Sequence, residues 1–146
     1  MNKIHTMIHR LHNPDFAILL VRITLALTFV HAGWLKLQNM ETVITGFGQV
    51  GLVPIFAYLV SISELVGGIA MLVGIFVRYF GIILAFIMFM AIIIAHGANG
   101  YGIQNGGYEY VLALLLVSIS TVLSGAGKYS FARWYKERKA RQESLF

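Results

Sequence analysis

The sequence predicts an all-α integral membrane protein: a four-helix bundle with both termini in the cytoplasm and a short amphipathic helix at the N-terminus. Composition is the first reason, since 58% of the 146 residues are hydrophobic and only 12% are charged, too few for a soluble surface. The second reason is that four apolar runs approach the ~20 residues that cross a bilayer. These runs cover residues 16–35, 54–74, 78–96 and 108–127.

The basic residues predict the orientation of these runs. Lys and Arg lie before the first run, in the second turn and after the fourth run, whereas the first and third loops contain only Lys36. Basic loops stay on the cytoplasmic side, so we expect a multi-pass protein of the inner (plasma) membrane.

Residues 1–13 would be an amphipathic interfacial segment, 14–130 the four-helix transmembrane domain and 131–146 a basic cytoplasmic tail. The lipid bilayer is the expected partner; nucleic acid is not, because no basic domain is present to bind it.

The N-terminal segment has apolar residues at helical spacing before Asn13 and Pro14, which are typical of an N-cap and a first-turn proline. Three histidines share one side of this helix at a spacing that can bind a transition metal: His5, His9 and His12. Histidines at the head-group level of a membrane are usually solvated instead, so no metal site is predicted.

Each apolar run has one stripe of small or polar residues, and these stripes are expected to face one another because small residues let helices approach closely in lipid. In order along the chain they are Arg22, Ala26, Gly33 and Lys36; Ala57, Ser61, Glu64 and Gly68; Arg78, Gly81, Ala85 and His96; and Glu109, Ala113, Ser120, Ser124 and Gly127.

Glu64 is the residue that most strongly indicates a functional site. It lies ten residues into the second run, where an ionised carboxylate is costly without a partner. Arg22 is the nearest plausible cation, because the two backbones are expected to differ by about 6 Å in depth, which a guanidinium can span. We therefore predict an ion pair between Arg22 and Glu64. It is either catalytic or serves only to fix the register of the helices.

A second polar group is expected near the outer ends of the helices. His31, Lys36, His96 and Glu109 cluster there, together with Asn105 in a glycine-rich loop. They could enclose a pocket, or they could merely cap helix ends and bind water. Glu64, Arg22, His96 and Glu109 are thus the candidate catalytic residues. The candidate ligand-binding residues are His31, Lys36 and Asn105.

Several short motifs, in this order, resemble the DoxX family over about residues 17–130. They are Arg22, His31-Ala32-Gly33, Lys36-Leu37, Glu64-Leu65-Val66-Gly67-Gly68, His96, Asn105-Gly106-Gly107-Tyr108-Glu109-Tyr110 and Gly125-Ala126-Gly127-Lys128-Tyr129-Ser130. Ala126 departs from the proline that the family usually has there. The resemblance implies a four-helix inner-membrane protein. Members of that family include a subunit of a quinone-reducing thiosulfate oxidoreductase and membrane partners of oxidative-stress enzymes.

Three functions remain open. In the first, the chain is the membrane subunit of an oxidoreductase: His31 or His96 donates a hydrogen bond to a quinone, and Glu64 or Glu109 relays the proton. In the second it is an assembly module that docks a soluble enzyme through its basic tail. In the third it conducts protons or a small solute. The chain has no cysteine, so a redox role would need a borrowed cofactor such as quinone, or a soluble redox enzyme as partner. A second copy of the chain is a further expected partner.

Overall fold

The computed structural model describes residues 13–143, and all regular secondary structure in that range is helical. The α-helices are α1 (Pro14–Gln38), α2 (Met40–Gln49), α3 (Pro54–Val73), α4 (Val77–Ala91), α5 (Glu109–Ser124) and α6 (Phe131–Glu143). The predicted N-terminal helix and its histidines lie outside the described residues. Asn13 is described, and its side chain accepts a hydrogen bond from the Phe16 amide at 3.1 Å, which confirms the predicted N-cap.

Three of the helices are long and apolar enough to cross a membrane: Pro14–Gln38, Pro54–Val73 and Val77–Asn99, the last being α4 with its short extensions. α5 is also apolar, but its 16 residues span only about 24 Å. Large apolar side chains on the outer surface are exposed, for example Leu27 at 68% and Leu123 at 76%. Such a surface suits lipid, so the chain is a multi-pass membrane protein.

The helices pack mainly as two pairs, α1 with α3 and α4 with α5. One end of the bundle carries α2 and the loop at residues 97–107, and we call it the α2 end. The opposite end, the α6 end, carries the start of α1, the turn between α3 and α4, and α6. α4 reaches the α2 end through a π-helical turn, Ile92–His96, and two short 3-10 turns follow at Gly97–Asn99 and Ile103–Asn105. A π-helical turn is wider than an α-helical one and is common at functional sites.

Two glycines set the distance between α1 and α3. A Cβ atom added to Gly33 would lie 2.6 Å from the backbone nitrogen of Leu65, and one added to Gly68 would lie 2.7 Å from that of Val30. The two backbones therefore touch at these points, which only glycine permits. The stripes predicted for the first two runs are buried here, apart from the half-exposed Lys36, and this part of the prediction is confirmed.

The stripe predicted for the fourth run is wrong. Ala113 and Ser124 are exposed. The buried face of α5 consists instead of Val111, Leu114, Ser118 and Thr121. The prediction failed because serine was taken as a mark of helix contact, whereas the Ser124 hydroxyl donates to a carbonyl of its own helix, that of Ser120, at 2.7 Å. A hydroxyl satisfied within its own helix needs no neighbouring helix.

Candidate functional site: a cavity with a buried ion pair

A cavity of about 820 Å³ lies between the two helix pairs, toward the α2 end. α1, α3, α4 and α5 all contribute to its wall, and α2 and the loop at residues 97–107 cover it. Most of the lining is apolar, with Phe29, Phe56, Met88 and Leu114 among its members. Ligand sites in proteins typically measure about 300–1,000 Å³ and are mainly apolar with a few polar groups, so this cavity has the size and character of a binding site.

The cavity brings together four of the seven residues that the sequence singled out: His31, Lys36, Glu64 and His96. Tyr110 adds a phenol to the same wall. The predicted polar pocket near the helix ends therefore exists as a space, and the deep carboxylate belongs to it. Whether these side chains are catalytic or bind a ligand stays a prediction.

Glu64 forms its ion pair with Lys36. The Lys36 ammonium nitrogen lies 2.6 Å from both carboxylate oxygens, Oε1 and Oε2. The side chain of Glu64 is 2% exposed and that of Lys36 is 32% exposed. The carboxylate is thus buried with both oxygens satisfied, while the ammonium faces the cavity.

The predicted pair between Arg22 and Glu64 is wrong, and the direction of helical side chains explains why. A helical Cα–Cβ bond tilts toward the N-terminus of its helix. α1 and α3 are antiparallel, so Lys36 leans into the bundle and Glu64 leans toward the α2 end, and the two meet. Arg22 leans toward the α6 end, away from Glu64. It lies level with Met71, which follows Glu64 by seven residues, or about 10 Å along the helix.

Arg22 has carbonyl oxygens as partners instead of a carboxylate. Its Nε donates to the Met71 carbonyl at 2.9 Å, and Nη2 donates to that of Leu72 at 3.1 Å. Nη1 donates to the carbonyls of Ala126 and Tyr129 at 2.8 and 2.7 Å. The last carbonyls of α3 have no partner within their helix, and a cation there complements the helix dipole. Arg22 thus ties α1 to the end of α3 and to the segment after α5, and it does not line the cavity.

His96 is the last residue of the π-helical turn and lies at the cavity wall. Its Nδ1 is 2.8 Å from the carbonyl oxygen of Gly106. A carbonyl can only accept, so we assign the proton to Nδ1, and in the neutral ring Nε2 is then a free acceptor. His31 lines the cavity from α1, five residues before Lys36, and is exposed.

Glu109 and Asn105 do not line the cavity. A Glu109 carboxylate oxygen accepts from the amide of Ile103 at 3.2 Å, so this side chain holds the covering loop. Asn105 ends a 3-10 turn of the same loop and is exposed. The sequence reading missed α2, which it treated as a loop. Val43 and Phe47, four residues apart, were the available signal, since both face the cavity from one side of that helix.

Among residues 13–143 no cluster of three or more His, Cys, Asp or Glu side chains could hold a metal ion. The histidine triad of the N-terminal segment lies outside that range. The polar groups at the cavity suit an organic ligand with carbonyl or hydroxyl oxygens, because the Lys36 ammonium donates hydrogen bonds and the His96 imidazole nitrogen accepts them.

These features define a multi-pass helical membrane protein whose bundle encloses an apolar cavity with a buried ion pair. The DoxX family model matches residues 17–97, and the chain belongs to the DoxX family. A relative from Bacillus subtilis (strain 168), named "Putative oxidoreductase CatD", is 34% identical over 116 residues, which cover 78% of this chain and 84% of the relative. No solved structure matches the chain.

Proposed function

We propose that this protein is the quinone-binding membrane subunit of an oxidoreductase. The observation that carries the proposal is the cavity itself, an apolar space of about 820 Å³ with an ion pair and two histidines in its wall. Quinones have an apolar tail and a ring with two carbonyl oxygens, so they need this combination of surfaces. The name of the relative, an oxidoreductase, supports the same class of reaction.

Lys36 would be the proton donor to the quinone ring. Glu64 accepts two of the three N–H bonds of the ammonium, which leaves one N–H for a carbonyl oxygen of the ligand. His96 would act at a second polar atom of the ring, because its Nε2 can accept a hydrogen bond from a hydroxyl of the reduced form. Glu64 keeps Lys36 in place before each transfer.

The electrons would come from a soluble redox enzyme. The chain has no cysteine and therefore cannot hold an iron–sulfur cluster by thiolates or exchange disulfides. In this proposal the α6 end faces the cytoplasmic side of a bacterial-type inner membrane, and α5 is the fourth membrane span. The basic residues Arg78, Lys128 and Arg133 are exposed at that end. The partner enzyme would dock there.

One observation favours the second candidate, a docking module without catalysis. α6 is exposed along its whole described length, and the Arg138 guanidinium stacks 4.8 Å from the ring centroid of Trp134. Aromatic and Arg side chains of this kind are common in protein–protein interfaces. Loss of the partner on deletion of α6, with no quinone bound by the protein, would support this function.

The proposed function is tested by ligand protection. A short-tailed quinone at about 100 times its Kd should stabilise the folded protein by about 2.7 kcal/mol, seen as a higher unfolding temperature in detergent or nanodiscs. Lys36→Met and His96→Ala should lose this protection, and Arg138→Ala on α6 should keep it. Equal protection of all three variants would contradict the assignment of the ligand site to Lys36 and His96. No protection of the unaltered protein by any quinone would contradict the function.

A further inference from the structure

Most of the exposed residues that line the cavity lie toward the α2 end of the bundle, the exception being Phe86 on α4, whose side chain is apolar and 62% exposed. Among its lining residues, His31, Gly46 and Gly106 are exposed and Lys36 is half-exposed, and all four lie at the α2 end. Glu64 lies at the deep side of this group, 2% exposed. Water can therefore reach the ion pair from the α2 end, through Lys36.

Three apolar side chains close the bundle on the other side of Glu64. Leu25, Met71 and Leu84 come from α1, α3 and α4, and each is 0% exposed. The packing is tight here, because a Cβ atom at Gly67 would lie 3.1 Å from Cδ2 of Leu84. Below this plug, Arg22 donates to four carbonyls and helps to bind α1, α3 and the segment after α5 together.

Two hydroxyl side chains of α5, those of Ser118 and Thr121, lie near this plug. Thr121 donates to the Ser118 carbonyl of its own helix at 2.7 Å, and the Ser118 hydroxyl has no partner among the described residues. Both are 0% exposed. Proton relay needs a continuous chain of hydrogen-bond donors and acceptors. Among the described residues, no side-chain hydrogen bond connects these two hydroxyls to Glu64 or to the α6 end.

We propose that the site at Lys36 and Glu64 exchanges protons and water with one side of the membrane only, the side of the α2 end. A proton that Lys36 gives to a ligand oxygen is replaced from water on that side. The titratable groups of the cavity wall are His31, Lys36, Glu64, His96 and Tyr110, and no other described ionisable residue lines it. The identity of the ligand rests on the proposed function, but the direction of access does not.

Single cysteines can test this route, because the chain has none of its own. Val60→Cys lies in the cavity wall, and Val66→Cys is a matched control on the lipid-facing surface of the same helix. Thr42→Cys on α2 and Lys128→Cys mark the two ends of the bundle, and Met71→Cys tests the plug. Each variant is treated with a charged, membrane-impermeant maleimide in right-side-out cells and in inverted vesicles.

Val60→Cys should react from the same side as Thr42→Cys, about tenfold or more faster than from the other side, because charge is excluded from hydrocarbon. Met71→Cys and Val66→Cys should stay unlabelled from both sides until detergent is added. Labelling of Val60→Cys from the side of Lys128→Cys, from both sides or from neither would overturn the proposal. A short-tailed quinone should slow the labelling; its failure to do so would count against the quinone but not against one-sided access.

Discussion

Two charged side chains are buried among residues 13–143, and they have different kinds of partner. Glu64 has one mobile ammonium, that of Lys36, at 2.6 Å from both oxygens. Arg22 has four fixed backbone carbonyls. A mobile partner can turn toward a ligand, whereas a set of backbone carbonyls cannot. Glu64 with Lys36 is therefore suited to chemistry and Arg22 to structure.

Removing one member of the ion pair should cost more stability than removing both. Lys36→Met leaves a buried carboxylate without a partner and should lower the free energy of unfolding by about 3–5 kcal/mol. The double variant Lys36→Met with Glu64→Gln should recover most of that loss. Denaturation in mixed micelles measures both. The matched control is Arg22→Met with Glu64→Gln, whose losses should add, since Arg22 and Glu64 do not touch; additivity in the Lys36 pair would contradict the assignment.

Arg22→Met should loosen the α6 end of the bundle. The change leaves carbonyls at the end of α3 unsatisfied, at about 1–3 kcal/mol for each one that water cannot reach. Faster amide hydrogen exchange should appear in residues 74–78 and 126–130, with little change around Glu64. Lys136→Met on exposed α6 is the control and should alter stability by less than about 0.5 kcal/mol. Unchanged exchange in both segments would show that Arg22 is not the tie between them.

At the scale of helices, the contact between α1 and α3 determines where the ion pair forms. Gly33 lies one turn from Lys36 on α1, and its Cα faces the backbone of Ser61 and Leu65 on α3. This close approach puts the end of the Lys36 side chain within reach of Glu64. Because α4 pairs with α5 rather than with α1, space remains between the pairs for the cavity.

Gly33→Ala should separate α1 from α3, because the new Cβ would lie 2.6 Å from a backbone nitrogen that cannot move aside. We expect a loss of about 1–3 kcal/mol of stability, typical of overpacking. Gly48→Ala on α2 is the matched control, since a Cβ there meets nothing within 4 Å. It should be neutral or stabilise by up to about 1 kcal/mol. Equal effects of the two substitutions on the unfolding temperature would contradict the contact.

At the scale of the whole molecule, the sequence predicted the features that depend on amino-acid composition and on the helical spacing of residues. It predicted the apolar runs, the contact stripes of α1 and α3 and the gathering of His31, Lys36 and His96 at one end. It missed the partner of Glu64, because counting residues gives the depth of a backbone but not the direction of a side chain. It also missed the buried face of α5, since a serine satisfied within its own helix looks like one that contacts a neighbour.

The proposed orientation predicts that a fluorescent protein fused after residue 146 folds in the cytoplasm and fluoresces. Alkaline phosphatase fused at the same point should be inactive, because it needs the oxidising side of the membrane. A fusion of each reporter within the loop at residues 97–107 should give the reverse result. An active phosphatase at the C-terminus would place the α6 end, which also carries the start of α1, outside and would contradict the proposed orientation.

The carbonyl partners of Arg22 are made long after Arg22 itself. They follow it by 49 to 107 residues in the chain, so the first helix can enter the membrane before any of them has reached it. A lone Arg within a spanning helix costs about 2.5–3.5 kcal/mol at the centre, and less where the side chain can reach the head groups. During synthesis the first helix should therefore sit with Arg22 drawn toward the surface and move inward once α3 arrives. Arg22, which ties the helices of the finished bundle together, is thus the same residue that makes the insertion of the first helix less favourable.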